Sequence, residues 1–505
     1  MTHDALASAA GDGPATELWS LRPDVLVETD PEDGTLTLLS RWGETVIRSA
    51  GPTLRGLLAR MQLGPTRLDN VLDVGRTPVA EALAERAVLI HALGRLQHLV
   101  VRSLATEEGA RVLLSVEAVS RRADFRPRAL RPGLPVRLSR FAALRPQDGM
   151  LQAESPLSLH RVLLHQPEAA ALLGALSRPR APEEVAGLAP WPSCLLHTAL
   201  SFLAAAGVVV QAETAAEGTA VFAEDADPVL RMWSPLDLMF HTRSTLGRHD
   251  GDFGATFPLG LRAAPEPVVA PRPQRGLIPL HRPKTEEALE SDPPFAAVLE
   301  ACRPTNRFGA CAPTAQELGD LLYRALHGRV LAAPDGGGAP PRPAAEQPPE
   351  RPHPADGATR ELEFYVTVEH CDGLEPGVYA YDRARHGLLP VTFEPRARHE
   401  LLDQARLSAE LDTPPPVLVT VAARFGRIFS TYSAVGYSLI LKDVGAVLQS
   451  LQLVATALGL AGCPIGSAEI DETPRLLGVD WRAESAVGAL VLGRAPGAER
   501  DYRVR

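Results

Sequence analysis

Covalent or metal chemistry in this 505-residue chain would be read first from its five cysteines, Cys194, Cys302, Cys311, Cys371 and Cys463. Their odd number and wide spacing match neither a disulfide framework nor a CxxC metal site. No HExxH zinc motif and no GxGxxG turn occurs. The glycines Gly336–Gly338 run into alanine and proline instead of Lys-Ser or Lys-Thr, so they do not cradle phosphate as a P-loop does. Arginine carries nearly all the positive charge, since Lys284 and Lys442 are the only lysines among 51 basic residues. The net charge of −10 argues against non-specific nucleic-acid binding, which needs a basic face.

The N-terminal run MTHDALASAAGDG has acidic residues and no apolar core, so it does not read as a secretory signal. Val444 to Cys463 is about long enough to span a bilayer. Yet Val444, Val447, Leu448, Leu451, Val454 and Leu458 recur at helical spacing, which favours a buried core helix. A cytoplasmic protein without membrane or nucleic-acid partners is the expectation.

Four stretches would have to position any site. Residues 1–115 and 116–225 contain a repeat. An offset of 115 pairs Asp33 with Asp148, Gly34 with Gly149, Pro52 with Pro167, and Leu57–Leu58 with Leu172–Leu173. Each copy then has an apolar helix that runs into a β-rich end. Two strands, a helix begun near proline, a second helix and a closing strand make a winged-helix-like module, with Pro52 and Pro167 in the first helical turn. Peptide docking or dimer building suits such weakly basic modules better than DNA, and a purely structural duplication is the alternative. Residues 226–290, polar, glycine-punctuated and proline-rich, read as an extended connector arm.

From 291 to 505 the pattern becomes α/β (α+β). Two runs have helical periodicity, and Thr314 followed by Glu317 fits a capping box. Residues 332–357 form a flexible Pro/Gly/Ala-rich insert. LEFYVTVEH alternates as a strand, PGVYAYDRARHGLLPV reads as a hairpin turning at Arg383–Gly387, and PPVLVTVAARF reads as a buried strand.

The runs PADGATRELEFYVTVEHCDGLEPGVYAYD, AARFGRI, YSAVGYSLILKDVGAVLQSLQLVATALGLAGCPIGS and GVDWRAESAVGALVLG resemble the SagB-type peptide dehydrogenases of the nitroreductase-like family. The likeness covers 291–505 almost end to end, and FHTRSTLGRHDGDFG resembles the N-terminal half of their long versions. It implies a nitroreductase-like C-terminal domain, FMN as cofactor, and a homo- or heterodimer with FMN at the interface. The implied activity is oxidation of thiazolines or oxazolines to thiazoles or oxazoles in an azoline-containing precursor peptide, beside a cyclodehydratase complex.

The family's Arg-x-Ser-x-Arg phosphate grip matches Arg303, Thr305 and Arg307, whose guanidinium forks and hydroxyl suit phosphate oxygens. An ungapped alignment from Leu299–Glu300 instead puts Cys302, Pro304 and Asn306 there. Pro354 and Gly357 match a small-residue segment where backbone N–H groups approach the flavin ring. Ala355 and Asp356 stand between them, and a carboxylate there would oppose a reduced flavin. Tyr432 matches the tyrosine of a Lys-Tyr catalytic pair, whose lysine is replaced by Thr431. Lys442, ten residues on, is the other catalytic candidate, or an ordinary charge at a helix start. Gly466 and Ser467 match a turn whose backbone lies along the flavin, or are a C-cap turn without ligand contact. Glu484 is read as structural. The altered motifs leave two alternatives to azoline oxidation: a degenerate paralogue that serves an active dehydrogenase as partner or leader-peptide binder, and a small-molecule nitroreductase.

Overall fold

The repeated Asp-Gly steps sit where the chain reverses. Gly34 and Gly149 take left-handed φ values of 69° and 78°, which a residue with a Cβ rarely adopts. Each lies in a strand-to-strand turn within a run of elements that occurs twice. The first run is β1 (Thr16–Leu21), β2 (Leu26–Thr29), β3 (Leu36–Ser40), β4 (Gly43–Ile47), α1 (Pro52–Leu63), a 3-10 turn (Leu68–Val71), α2 (Val79–Arg95) and β5 (Val100–Ala105). After β6 (Val112–Ala118) come β7 (Val136–Leu138), β8 (Ala143–Gln147), β9 (Met150–Glu154), β10 (His160–Leu164), α3 (Pro167–Ala175), α4 (Pro182–Ala186), α5 (Ser193–Ala205) and β11 (Val209–Gln211). In both runs the first strand pairs antiparallel with the last, β1 with β5 and β7 with β11. Pro52 and Pro167 each open their helix, where the missing N–H leaves no bond unmade. Leu57, Leu58, Leu172 and Leu173 are all buried.

The copies differ in where the middle strands go. β2, β3 and β4 form their own sheet, whereas β10, β9 and β8 extend the first copy's strands in the order β1-β5-β6-β10-β9-β8. One sheet therefore runs through both copies.

The structure is a computed structural model that describes residues 15–48, 50–72, 79–106, 111–186, 191–216, 219–260, 266–267, 276–326, 360–466 and 469–496. The chain divides into two units, Met1–Gly251 and Asp252–Arg505. The boundary falls inside the stretch 226–290 expected as one extended connector. Its first part belongs to the first unit; it follows a hairpin of β12 (Thr214–Ala216) and β13 (Thr219–Val221) and the short helix α6 (Ala223–Ala226), and is helical at α7 (Pro235–Arg243). The Ser234 hydroxyl caps α7 by accepting from the Asp237 N–H at 3.1 Å. At the end of α7, Arg243 pairs with Glu154 at 2.5 Å. Asp250 accepts from Arg22 at 2.9 Å and from both Arg161 Nη atoms at 2.9 Å. Buried ion pairs thus latch the glycine-punctuated run onto its own unit.

The second unit begins with β14 (Ile278–Pro279), α8 (Thr285–Ser291) and α9 (Phe295–Ala301), the two helices separated at Pro293–Pro294. Next come α10 (Ala315–Leu326), β15 (Leu362–Val368), β16 (Gly377–Asp382), β17 (Gly387–Thr392), α11 (Pro395–Ser408), β18 (Val417–Arg424), α12 (Phe425–Phe429), α13 (Gly436–Ala457), β19 (Leu460–Ile465), α14 (Glu472–Leu477) and β20 (Glu484–Arg494). The sheet order is β14-β17-β16-β15-β18-β20-β19, antiparallel throughout, with β19 at the edge.

Successive side chains on a strand point to opposite faces, and both faces of this sheet are buried. Phe364, Val366, Val419, Val421, Leu490 and Leu492 face a core with α10 and α13, while Tyr365, Leu418, Ala422, Ala489 and Val491 face one with α11 and α14. That double burial explains the nearly continuous apolar run of β18. The capping box forms as expected: the Thr314 N–H donates to the Glu317 carboxylate at 2.8 Å, and the Glu317 N–H donates to Thr314 Oγ1 at 3.2 Å. α13 is long and apolar enough to cross a bilayer. Ile440, Val444, Val447, Leu451 and Ala455 nonetheless lie along one of its faces in the core.

Candidate functional site

The segment after α9 runs across the open edge of the sheet. The Thr305 N–H donates to the Gly462 carbonyl of β19 at 3.3 Å, and the Gly309 N–H donates to the Arg494 carbonyl of β20 at 2.9 Å. The Thr305 hydroxyl donates to the Arg307 carbonyl and accepts from the Arg307 N–H, both at 3.2 Å, so it shapes the turn between the two arginines. Arg303 and Arg307 are exposed. Arg303 donates one bond to the Cys302 carbonyl at 2.8 Å, and neither guanidinium has a carboxylate partner among the described residues. Of the alternative triple, Cys302 is half-buried, and Asn306 turns to the Glu410 carbonyl at 3.5 Å.

Phe308 fixes this segment on Gly493. A Cβ at Gly493 would stand 2.6 Å from the Phe308 ring, well inside van der Waals contact. Gly493→Ala is therefore expected to cost about 1–3 kcal/mol through overpacking, with part of it recovered by adding Phe308→Leu. Denaturant unfolding of the single and double variants measures this, and equal stability of Gly493→Ala and the parent would contradict the contact.

Gly466 follows the last residue of β19, four residues beyond Gly462, or about 13 Å along a strand. It is exposed, and nothing lies within 4 Å of the Cβ it lacks. An arginine pair thus sits at one point of the edge, and an open backbone turn lies further along the same strand. Pro354, Gly357, Ser467 and the insert 332–357 lie outside the described residues.

Tyr432 stands in the turn between α12 and α13. Its N–H donates to the Ile428 carbonyl at 2.8 Å, and it forms a β-bridge with Ala255. Its half-buried side chain packs against the core. The Thr431 carbonyl accepts from the Phe257 N–H at 3.0 Å. Phe425 stacks on Phe429 at 5.9 Å, and Tyr437 lies 6.2 Å from Phe425. Phe429 and Tyr437 are 38% and 42% exposed, so part of this aromatic face is open. Lys442 is on the exposed side of α13, beside Leu441.

Sequence reasoning passed over four further arginines. Arg424, 5% exposed at the end of β18, donates to Glu266 at 3.0 Å and to the Pro267 carbonyl at 2.8 Å. Arg427 donates to the Glu266 carbonyl at 2.6 Å. Burial first, then Arg424, lowers the pKa of Arg427; burial first, then Arg383 and Arg427, lowers that of Arg360. Carboxylates offset this repulsion: Glu266 and Glu361 raise the pKa of Arg427, and Arg424 also lies 3.7 Å from Glu363. Arg494 closes β20 and gives its guanidinium to Glu317, with contacts of 2.7 and 2.8 Å, so the capping box holds it away from other anions. Arg424 and Arg427 stand in the run AARFGRI, but nothing local in it reveals their partners.

These features suit a flavin mononucleotide. Two exposed guanidiniums without carboxylate partners match a phosphate, and an open glycine turn along the same edge matches a flat ring separated from that phosphate by a ribityl chain.

The nitroreductase family model matches residues 312–494, and the model described as cyanobactin oxidase ThcOx matches residues 136–250. A curated protein of Methanocaldococcus jannaschii, named as a nitroreductase, is 34% identical over 124 residues, or 25% of this chain and 62% of that protein. The chain thus spans less than two thirds of that relative's length. Among solved structures, one from Anabaena variabilis, also named as a nitroreductase, aligns over 97% of this chain and 82% of its own, at 13% identity and TM-score 0.35. One from Ralstonia eutropha aligns over 46% and 98%, at 19% identity and TM-score 0.34. The E. coli microcin synthetase McbBCD complex with truncated pro-MccB17 bound aligns over 38% and 69%, at 19% identity and TM-score 0.31. The segment that matches the nitroreductase family model spans most of the α+β sheet of the second unit, and the segment that matches the cyanobactin oxidase ThcOx model ends at Asp250 in the first unit.

Proposed function

We propose that this chain is an FMN-dependent dehydrogenase that oxidises thiazoline or oxazoline rings to thiazoles or oxazoles in a ribosomally made peptide. The observation that carries the reading is the pair of exposed guanidiniums, Arg303 and Arg307, in the segment bonded through Thr305 to the edge strand that leads to Gly466. The coarser reading, a flavin-type oxidoreductase of peptide maturation, is supported by the two family segments in one chain.

Arg303 and Arg307 would hold the phosphate, the Thr305 turn would set their spacing, and Gly466 would leave its backbone clear for the ring. When bound, FMN supplies a two-electron acceptor. Making the azole also releases a proton from a ring carbon. Tyr432, in the turn between α12 and α13, is the group assigned to receive or relay it. Lys442 is the second candidate, placed in solvent on α13. The partly open rings of Phe429 and Tyr437 offer a flat heterocycle a surface to stack on. Exposed Phe295, Leu299, Tyr437 and Leu441 on α9 and α13 support a dimer. A cyclodehydratase would supply the azoline substrate, oxygen would serve as final electron acceptor, and the five free cysteines suit a reducing, cytoplasmic compartment.

The test is a visible spectrum of the purified protein, followed by incubation with an azoline peptide and mass spectrometry. Flavin absorbance and the loss of two hydrogens per ring are expected. A protein that is colourless after incubation with FMN and removal of the unbound flavin would instead be the degenerate partner subunit, consistent with Thr431 in place of lysine. Bound flavin with nitroarene turnover but no ring oxidation would make it a small-molecule reductase.

A further inference from the structure

The first unit contains a cavity of about 660 Å³ that the redox reading does not use. Ligand sites typically measure about 300–1,000 Å³. Its floor is one face of the six-stranded sheet. Trp19 of β1 stands directly opposite Arg102 of β5, which stands opposite Val116 of β6. In the neighbouring row, His160 of β10 stands opposite Ala118 of β6. α2 walls one side through Arg86, Ile90 and Leu93, and Phe125 walls another.

The lining is both flat and cationic. The Arg102 guanidinium lies 4.5 Å from the centre of the Trp19 ring and 4.9 Å from that of Phe125. Planar guanidinium and indole surfaces favour other planar groups. Four guanidiniums, Arg67, Arg86, Arg102 and Arg126, line the cavity against two carboxylates, Glu17 and Asp69. Arg102 pairs with Glu17, Arg86 with Asp69 at 2.5 Å, and Arg126 with Asp124 at 2.8 Å. Arg67 has only the Thr16 hydroxyl, at 3.2 Å, and no carboxylate among the described residues.

His160 adds an independent sign of a ligand. It is 6% exposed, lines the cavity, and lies tilted against Phe125 at 5.4 Å. Its Nε2 has no hydrogen-bond partner among the described residues. A buried polar atom left so costs free energy that a bound group could recover. Burial lowers the imidazole pKa to about 4, so the ring is neutral near pH 7 and adds no charge of its own.

We propose that this cavity binds a planar anion, an aromatic or heteroaromatic ring bearing a carboxylate, with the ring among Trp19, Phe125 and Arg102 and the carboxylate on Arg67. A free aromatic acid and an aromatic–acidic step within a peptide share this chemistry. The proposal is independent of flavin binding, so either can fail without the other.

The test uses the full-length protein and isothermal titration with 2-naphthoate, its neutral analogue 2-naphthamide, and the dipeptide N-acetyl-Phe-Glu. Saturable naphthoate binding at least tenfold tighter than naphthamide binding is expected. Arg67→Gln, at a half-exposed position, should weaken naphthoate about tenfold, the loss of one charge-assisted contact, and leave naphthamide unchanged. An unaltered melting curve would show that the variant is folded. Trp19→Leu should weaken both naphthyl probes. Dipeptide binding as tight as naphthoate binding assigns the site to a peptide segment; weaker binding assigns it to a free acid. No saturable naphthoate binding at millimolar concentration, equal affinity for naphthamide, or unchanged affinity in Arg67→Gln overturns the proposal.

Discussion

Replacing Arg303 and Arg307 together by alanine is expected to leave a folded protein that no longer retains FMN. Each arginine can give a phosphate one charge-assisted contact worth about 1.5–3 kcal/mol. Both are solvent-exposed, so screening reduces the total. A loss on the order of a hundredfold in flavin affinity remains, which is enough to strip the cofactor during purification. Stability should hardly change, because the segment is fixed by Thr305 on Gly462, Gly309 on Arg494 and Phe308 on Gly493, none of which the substitution removes. Flavin fluorescence titration reads the affinity and thermal unfolding reads the fold. Lysine at both positions should restore part of the binding, since it keeps the charge and loses the planar fork. A double alanine variant that holds FMN as tightly as the parent would place the phosphate elsewhere, Arg360 and Arg427 being the next cations to examine. The Gly493→Ala variant offers a second approach, because it displaces the same loop without touching either guanidinium.

What could be read in advance followed how local each determinant is. The Thr314–Glu317 box, the strand β15 and the hairpin between β16 and β17 are set by residues a few positions apart, and all three form, although β15 is buried on both faces instead of one. Within that turn the left-handed residue is His386, whose Nδ1 hydrogen-bonds with the Tyr381 hydroxyl at 2.7 Å. The repeat was visible because Asp-Gly turns, helix-opening prolines and paired leucines recur at one offset. That β10 of the second copy would pair with β6 beside the first copy was not visible, since periodicity gives a strand its faces and not its neighbours. The ion pairs were hidden for the same reason. Arg22 and Asp250 are 228 positions apart, and Arg494 and Glu317 are 177 apart. A polar run such as FHTRSTLGRHDGDFG looks the same whether it is a free linker or a latch. For the candidate site, family resemblance pointed to Arg303, Arg307, Tyr432 and Gly466, while the backbone contacts that position them came only from the fold.

The latch leads to the other large effect: Asp250→Ala is expected to destabilise the first unit by about 3–5 kcal/mol. Arg22 is 4% exposed and Arg161 20%, and both direct their guanidiniums at the Asp250 carboxylate. Removing it leaves Arg22 next to Asp24 and Arg161 next to Glu117, each without its central partner. Acid should act on the same network in two separate windows. Burial opposes ionisation of Asp250, but Arg161, Arg22 and Arg41 outweigh it and hold its pKa below the usual value of 3.8. Because the folded value is the lower one, this contribution is complete above pH 3.8 and drains away as the pH falls further. His160 titrates earlier. Its folded pKa of about 4 is below the ordinary 6.5, so the unfolded chain takes up its proton first and stability falls from pH 6.5 towards 4, by about 3 kcal/mol in total. Burial shifts His98, His165 and His249 in the same direction, which deepens that upper limb. Unfolding free energies measured from pH 7 to pH 3 should therefore show two limbs. Asp250→Asn should flatten the lower limb and spare the upper, and His160→Gln should do the reverse. A parent profile level between pH 6.5 and 4 would mean that His160 is not buried as described, and an Asp250→Ala variant as stable as the parent would mean that the arginines find other anions.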